Sequence, residues 1–186
     1  EFRRVLFRST KVLEAVLGDG FEGRMAKLAA AIRMTEIDDI HMPSCTTPSS
    51  VSIPVGLALA VENPLRRSRL RDAIWVGTEV MARFGGAVRG PDILYREVWP
   101  TYLGGPLASA ATACRMLGLD EIRTAHALSL ALTLTAGGSG RFRQGLSPRW
   151  LLHGSGIRAG YLAAKAAEAG FNGDGGLLDR EWLRES

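Results

Sequence analysis

The sequence predicts an all-α protein, a helical bundle of antiparallel helix pairs. Apolar residues recur at a spacing of three and four, most clearly at Leu70, Ala73, Ile74, Gly77, Val80, Met81 and Phe84. No segment alternates apolar and polar residues as a half-buried strand would. The helical runs are joined by short Gly, Pro and Asn breaks without a repeat of fixed period, the pattern of a bundle rather than a solenoid. At 186 residues and 46% hydrophobic, the chain has material for one ordinary domain with a sizeable core.

Taken in order, Thr10–Leu17 reads as the end of a helix stopped by Gly18-Asp19-Gly20, and Arg24–Met34 as an Ala- and Leu-rich helix. A polar loop, Thr35–Pro48, follows. Ser50–Glu62 is the next helix, with Pro54 in its first turn where proline is tolerated, and Asn63-Pro64 breaks it. Leu70–Phe84 is amphipathic, and Gly85–Pro100 reads as irregular because it holds three Gly and two Pro. Gly104–Leu117 is a small-residue helix built for tight packing. Asp120 caps Glu121–Ala136, a glycine-rich break covers Gly137–Pro148, and Trp150–Ala169 closes the series at Gly170.

The loop carries the chemistry. Glu36, Asp38, Asp39, His41 and Cys45 stand with Ser44, Thr46, Thr47, Ser49 and Ser50, between two apolar runs that read as buried helix. Proton transfer needs that mixture on a loop held by rigid elements. A structural reading competes: Asp38 and Asp39 end one helix and Ser49 or Ser50 caps the next. It accounts for the serines better than for His41–Thr47.

Alternate loops of an up–down bundle share an end, so two or three of the polar breaks are placed to line one pocket. The third break, GGSGRFRQG, sets Arg141, Arg143 and Gln144 among glycines, where backbone N–H groups and a guanidinium approach an anion together. It does not match a phosphate-cradling loop, and a solvated loop is the alternative. His126 and His153 fall inside helical patterns and read as packed or capping residues. Trp75, Trp99 and Trp150 read as core or pocket wall. No spacing suggests a metal site.

Several function classes are disfavoured. No apolar run approaches the roughly 20 residues needed to span a bilayer, so a soluble, cytoplasmic protein without a membrane partner is expected. Cys45 and Cys114 are too few for a disulfide scaffold or an iron–sulfur cluster of about four thiolates. Of 23 basic residues, three are Lys and the other 20 Arg, which fits a GC-rich coding bias. Arg66, Arg67, Arg69 and Arg71 cluster without interleaved aromatics, so no nucleic-acid partner is expected. Residues 1–9, EFRRVLFRS, read as a translated sequencing adapter foreign to the native protein. Setting aside their three Arg and one Glu lowers the formal charge from +4 to +2.

Four stretches carry a resemblance: EIDDIHMPSCTTPSSVSIPVGLALA, GTEVMARFG, GGPLASAATACRMLGLDEIRTAHALSLA and LSPRWLLHGSGIRAGYLAAKAAEAGF. In order, spacing and turn chemistry, residues 10–186 resemble part of the helical domain of the MmgE/PrpD family. That family includes 2-methylcitrate dehydratase, cis-aconitate decarboxylase and iminodisuccinate epimerase. The resemblance implies that a start and a C-terminal lid domain lie outside this sequence, and that the protein forms a homodimer. It implies cofactor-independent lyase or isomerase chemistry on a small di- or tricarboxylic acid.

The carry-over of site residues is uneven. The family's acidic residue before the Asp pair corresponds to Glu36, before Asp38 and Asp39. The Thr after the pair is Ile40 here, and the His before the Pro-Ser of the next helix is Thr47. A second family His falls at Trp99, the Lys of the glycine-rich break near Arg143 or Gln144, and a following His at Ser147. The expectation is therefore a rearranged site: His41 as acid/base with Asp38 or Asp39 orienting it and Glu36 or Asp38 sharing the chemistry, and Thr46, Thr47, Trp99, Arg143 and Gln144 as substrate contacts. The alternative is a non-catalytic carboxylate-binding or scaffold relative.

Overall fold

A computed structural model describes residues 13–135 and 148–177, and among these it is helical throughout apart from loops and one isolated backbone bridge. After a helical end at 13–17 come α1 (Phe21–Met34), α2 (Ser49–Glu62), α3 (Leu70–Ala87), α4 (Gly90–Tyr95), α5 (Pro100–Leu117), α6 (Glu121–Thr133) and α7 (Pro148–Glu168). The expected all-α bundle is what forms.

Its axis is α5. Almost every residue from Pro100 to Met116 is buried, because α2, α3, α6 and α7 all pack against it. An all-round buried helix needs small side chains, and the run of Gly, Ala, Ser and Thr supplies them. The core joins Met25, Val51, Val55, Leu59, Met81, Met116 and Ile157. Cys114 lies in it, and burial pushes its thiol up to about 12. Gly118, at φ +79°, ends α5 in the left-handed turn that favours glycine.

The α5–α7 crossing is close enough to exclude side chains. A Cβ on Gly160 would run into the Pro106 carbonyl oxygen and lie 2.9 Å from Ala110 N, both backbone atoms that cannot rotate away. Beside it Ser109 donates to the Ile157 carbonyl at 2.8 Å. Gly160→Ala is expected to cost about 1–3 kcal/mol through overpacking, read as a drop in the urea midpoint. Ala at Gly105, where open space surrounds the Cα, leaves the midpoint unchanged or raises it.

Two expectations need correction. Gly85–Pro100 is not irregular: α3 runs through Gly85 and Gly86, α4 follows with Pro91 in its first turn, and Pro100 opens α5. Gly85 is small to admit the polar loop, since a Cβ there would lie 2.7 Å from Ser44 Cβ and 2.8 Å from Thr46 Cγ2. Gly90 likewise meets the Ser44 carbonyl. Trp75 is not core, since it lies on the outer face of α3, 72% exposed.

Candidate active site

The polar loop is closed on itself before it does anything else. His41 N donates to Thr46 O at 2.8 Å, and the turn Met42–Ser44 is finished by Cys45 in the left-handed region, φ +51°. His41 Nδ1 shares a 2.8 Å hydrogen bond with Ser44 Oγ, which lies 2.7 Å from Thr46 Oγ1. Ser44 and Thr46 are buried and His41 is exposed, so this hydroxyl chain runs from solvent inward.

Thr47 ties the loop to α5. Its N–H donates to Thr101 Oγ1 at 3.0 Å, and its hydroxyl lies 3.1 Å from those of Thr101 and Ser50. The first two polar breaks therefore meet at one end of the bundle, as alternation suggested. Arg143 and Gln144, in the third, lie outside the described residues.

The carboxylates divide. Asp39 Oδ1 accepts from Ser49 N at 3.0 Å and from the Ser49 hydroxyl, so a residue ten positions upstream caps α2. The expectation that Ser49 or Ser50 caps it is corrected: Pro48 stands at the N-cap, and the Ser50 hydroxyl turns back to Thr47 O at 2.7 Å. Asp38 and Glu36 instead converge on Arg33, whose Nη1 lies 3.1 Å from Asp38 Oδ1 and 3.1 Å from Glu36 Oε2. Arg149, at the start of α7 and 3.9 Å above the Trp150 ring, also pairs with Glu36. Glu36 adopts φ +54°, a conformation costly for a non-glycine residue, and the two guanidinium groups hold it there.

Behind these charges lie Tyr102, which sequence reasoning passed over, and His153, which it read as packed or capping and which is packed. His153 is fully buried, and its Nε2 donates to Ser50 O at 3.0 Å. A carbonyl only accepts, so Nε2 carries the proton and Nδ1 keeps its lone pair. Burial, with Arg33 nearby, lowers its pKa to about 4, so the ring is neutral at pH 7. Tyr102 packs edge-on to His153 at 5.7 Å and stacks on half-buried Trp99 at 6.1 Å. Burial raises the phenol's pKa. Arg33 and Arg149 pull it down while Glu36 and Asp38 push it up, so all four charges lie within electrostatic reach of the ring.

Arg33, Tyr102 and His153 could have been suspected on one ground: each is a polar residue embedded in an apolar helical run. His126 behaves as expected, its Nδ1 accepting from Gly173 N at 3.3 Å. Among the described residues no group of three His, Cys, Asp or Glu is arranged to hold a metal ion, and no helix is long and apolar enough to cross a membrane. A groove of about 420 Å³ between α1 and α2 lies about two helical turns from Arg33. It is lined mostly by apolar residues, among them Phe21, Met25, Leu28, Leu57 and Val61, together with Arg24 and Glu62. It lacks convergent polar groups, so the charged cluster is the better candidate.

Residues 25–184 match the MmgE/PrpD N-terminal domain. The chain belongs to the MmgE/PrpD family. Among curated relatives, it is 29% identical over 176 residues to "cis-aconitate decarboxylase-like protein oryM" of Aspergillus oryzae, covering 88% of this chain and 36% of that protein. It is 28% identical over 177 residues to cis-aconitate decarboxylase of Aspergillus terreus, covering 88% and 35%. It is 30% identical over 156 residues to the human cis-aconitate decarboxylase, covering 81% and 32%. The chain thus spans about a third of the length of these relatives.

Proposed function

We propose that the protein this MmgE/PrpD domain belongs to is a cofactor-independent lyase or isomerase acting on a small di- or tricarboxylic acid. The observation that carries this reading is the family match across residues 25–184, shared with decarboxylases. The geometry supports it with a charged, partly buried cluster at one end of the bundle, beside a hydroxyl-lined loop. His41 serves as acid/base. Its ring is oriented by Ser44, because the hydrogen bonds of Asp38 and Asp39 go to Arg33 and Ser49. Glu36 and Asp38 set the local field with Arg33 and Arg149. Thr46, Thr47, Trp99, Arg143 and Gln144 remain the proposed substrate contacts. A homodimer in the cytoplasm, with no nucleic-acid or membrane partner, completes the reading.

One observation favours the second reading, a carboxylate-binding or scaffold relative. The hydrogen bonds of Asp39, Thr46 and Thr47 all serve to close the loop or fix it to α2 and α5. The two readings part on His41→Ala in the full-length protein, screened first by thermal shift against di- and tricarboxylates. A true ligand at a hundredfold excess over its Kd stabilises the fold by about 2.7 kcal/mol. On the enzymatic reading, His41→Ala keeps the melting temperature and lowers kcat by about 10²–10⁴. Wild-type protein that binds a carboxylate without turnover sinks the enzymatic reading.

A further inference from the structure

The chain has two asparagines, Asn63 and Asn172, and only one of them can react with its own backbone. Cyclisation of an asparagine uses the N–H of the following residue as the nucleophile. Asn63 is followed by Pro64, which has no N–H, whereas Asn172 is followed by Gly173. Glycine carries no side chain to crowd the approach to its nitrogen. Asn172 is exposed, in the loop that follows α7.

The nucleophilic nitrogen is held against a base. His126, half-buried on α6, has its Nδ1 3.3 Å from Gly173 N and accepts that N–H. The Gly173 carbonyl lies at the same 3.3 Å, but a carbonyl only accepts, so a ring with its proton on Nε2 bonds to the N–H. Gly173 is fixed in this place: a Cβ on it would lie 2.7 Å from His126 O and 3.0 Å from Leu130 N, both backbone atoms. On the other side Gly170, at φ +96°, ends α7, and Phe171 N donates back to Ala166 O at 2.9 Å. Asn172 is the exposed link between two held residues.

We propose that Asn172 is a site of self-modification, deamidating through a succinimide with His126 as the general base. His126 Nδ1 takes the proton from Gly173 N, and the electron pair left on that nitrogen forms a bond to Asn172 Cγ. The C–N bond to the side-chain nitrogen breaks, and that nitrogen leaves as ammonia with the proton returned by His126. Water then opens the ring at one of its two carbonyl–nitrogen bonds, giving aspartate or isoaspartate at 172. The net reaction is amide plus water to acid plus ammonia, with no other reactant. Either product places a new carboxylate just past the C-terminal end of α7, where the helix dipole disfavours negative charge. The modification is independent of the carboxylic-acid function.

The test is peptide mapping by mass spectrometry of the full-length protein during incubation at neutral pH, following conversion at Asn172. Folded wild type is expected to convert at least about tenfold faster than the same protein unfolded in urea, where no base is held at Gly173. Folded His126→Gln, whose amide accepts a hydrogen bond without taking a proton, is expected to convert at least about tenfold more slowly than folded wild type. A histidine that only pinned the loop would act with the opposite sign, because releasing the loop lets Asn172 reach the ring geometry more freely. A rate in His126→Gln that rises or stays the same therefore overturns the proposal. Conversion in folded wild type that is no faster than in urea overturns it as well, and this comparison decides the matter even where the variant fails to fold.

Discussion

Arg33→Met is expected to lower folding stability by about 3–5 kcal/mol, the cost of leaving a buried charge without its partner. Methionine keeps most of the volume of the arginine stem, so the loss measures the missing charge more than a cavity. The orphaned group is Asp38, whose side chain is only 4% exposed and whose hydrogen bond in the described structure goes to Arg33. Glu36 suffers less, because it is 38% exposed and still has Arg149. In a fold held together by about 5–15 kcal/mol, that loss leaves little margin. Urea melts of four proteins check it: wild type, Arg33→Met, Asp38→Leu and the double variant. Replacing a buried ion pair by apolar groups is often close to neutral, so the double variant is expected to recover most of the stability. Equal losses in the single and double variants would show that Arg33 acts through packing of its stem instead. Arg149→Met is the contrast: its side chain is 23% exposed, and a loss of about 1 kcal/mol or less is expected.

The helices were legible because the signal for them is local. Leu70–Phe84 carries its apolar stripe in sequence, and Asp120 caps α6 by accepting from Arg123 N at 2.8 Å, within its own turn. The small-residue run at 104–117 announced a crowded helix, and α5 is the bundle's axis. What failed was whatever depends on a partner distant in sequence. Gly85 and Gly86 looked like a break, yet Gly85 is small because Ser44 and Thr46 press on it from 40 residues away. Asp39 read, in the structural alternative, as ending one helix with Ser49 or Ser50 capping the next, and it caps the next helix itself from ten residues away. Trp75 looked like core, since period alone cannot say which edge of an amphipathic stripe is uncovered.

The candidate site was legible in one half. The loop was singled out from composition, and it does meet α5 and the start of α7 at one end of the bundle. The other half was hidden: Arg33, Tyr102 and His153 each lie in a helix whose neighbours are apolar, and a lone polar residue in such a run carries no sign of what it faces. Only the three-dimensional structure brings Arg33 to Asp38 and sets Tyr102 against His153. The two members of the acidic pair do different work: Asp38 belongs to the charge cluster and Asp39 to the helix cap.

His153 gives the protein an acid-sensitive core. Its pKa is about 4 in the folded chain, against an ordinary 6.5, because burial away from water disfavours the imidazolium and Arg33 adds to that. Above pH 6.5 neither state binds the proton, and the contribution of the neutral ring is fully present. As pH falls below 6.5 the unfolded chain takes up a proton that the folded chain refuses, so stability falls until about pH 4 and is flat in this respect below it. The gap between 6.5 and about 4 corresponds to about 3 kcal/mol. Asp19 and Asp72, whose carboxyls are held below the usual range chiefly by hydrogen bonds from Lys27 and Arg115, act only at lower pH. Urea melts between pH 7 and pH 4.5 should therefore show a steady loss in the wild type. That slope is expected to flatten in His153→Gln, whose amide still donates to the Ser50 carbonyl without titrating. An unchanged slope in the variant would assign the acid sensitivity to other groups and remove His153 from the account. If it flattens, the neutral ring, with Nε2–H fixed on the Ser50 carbonyl, is the group that makes the core acid-sensitive.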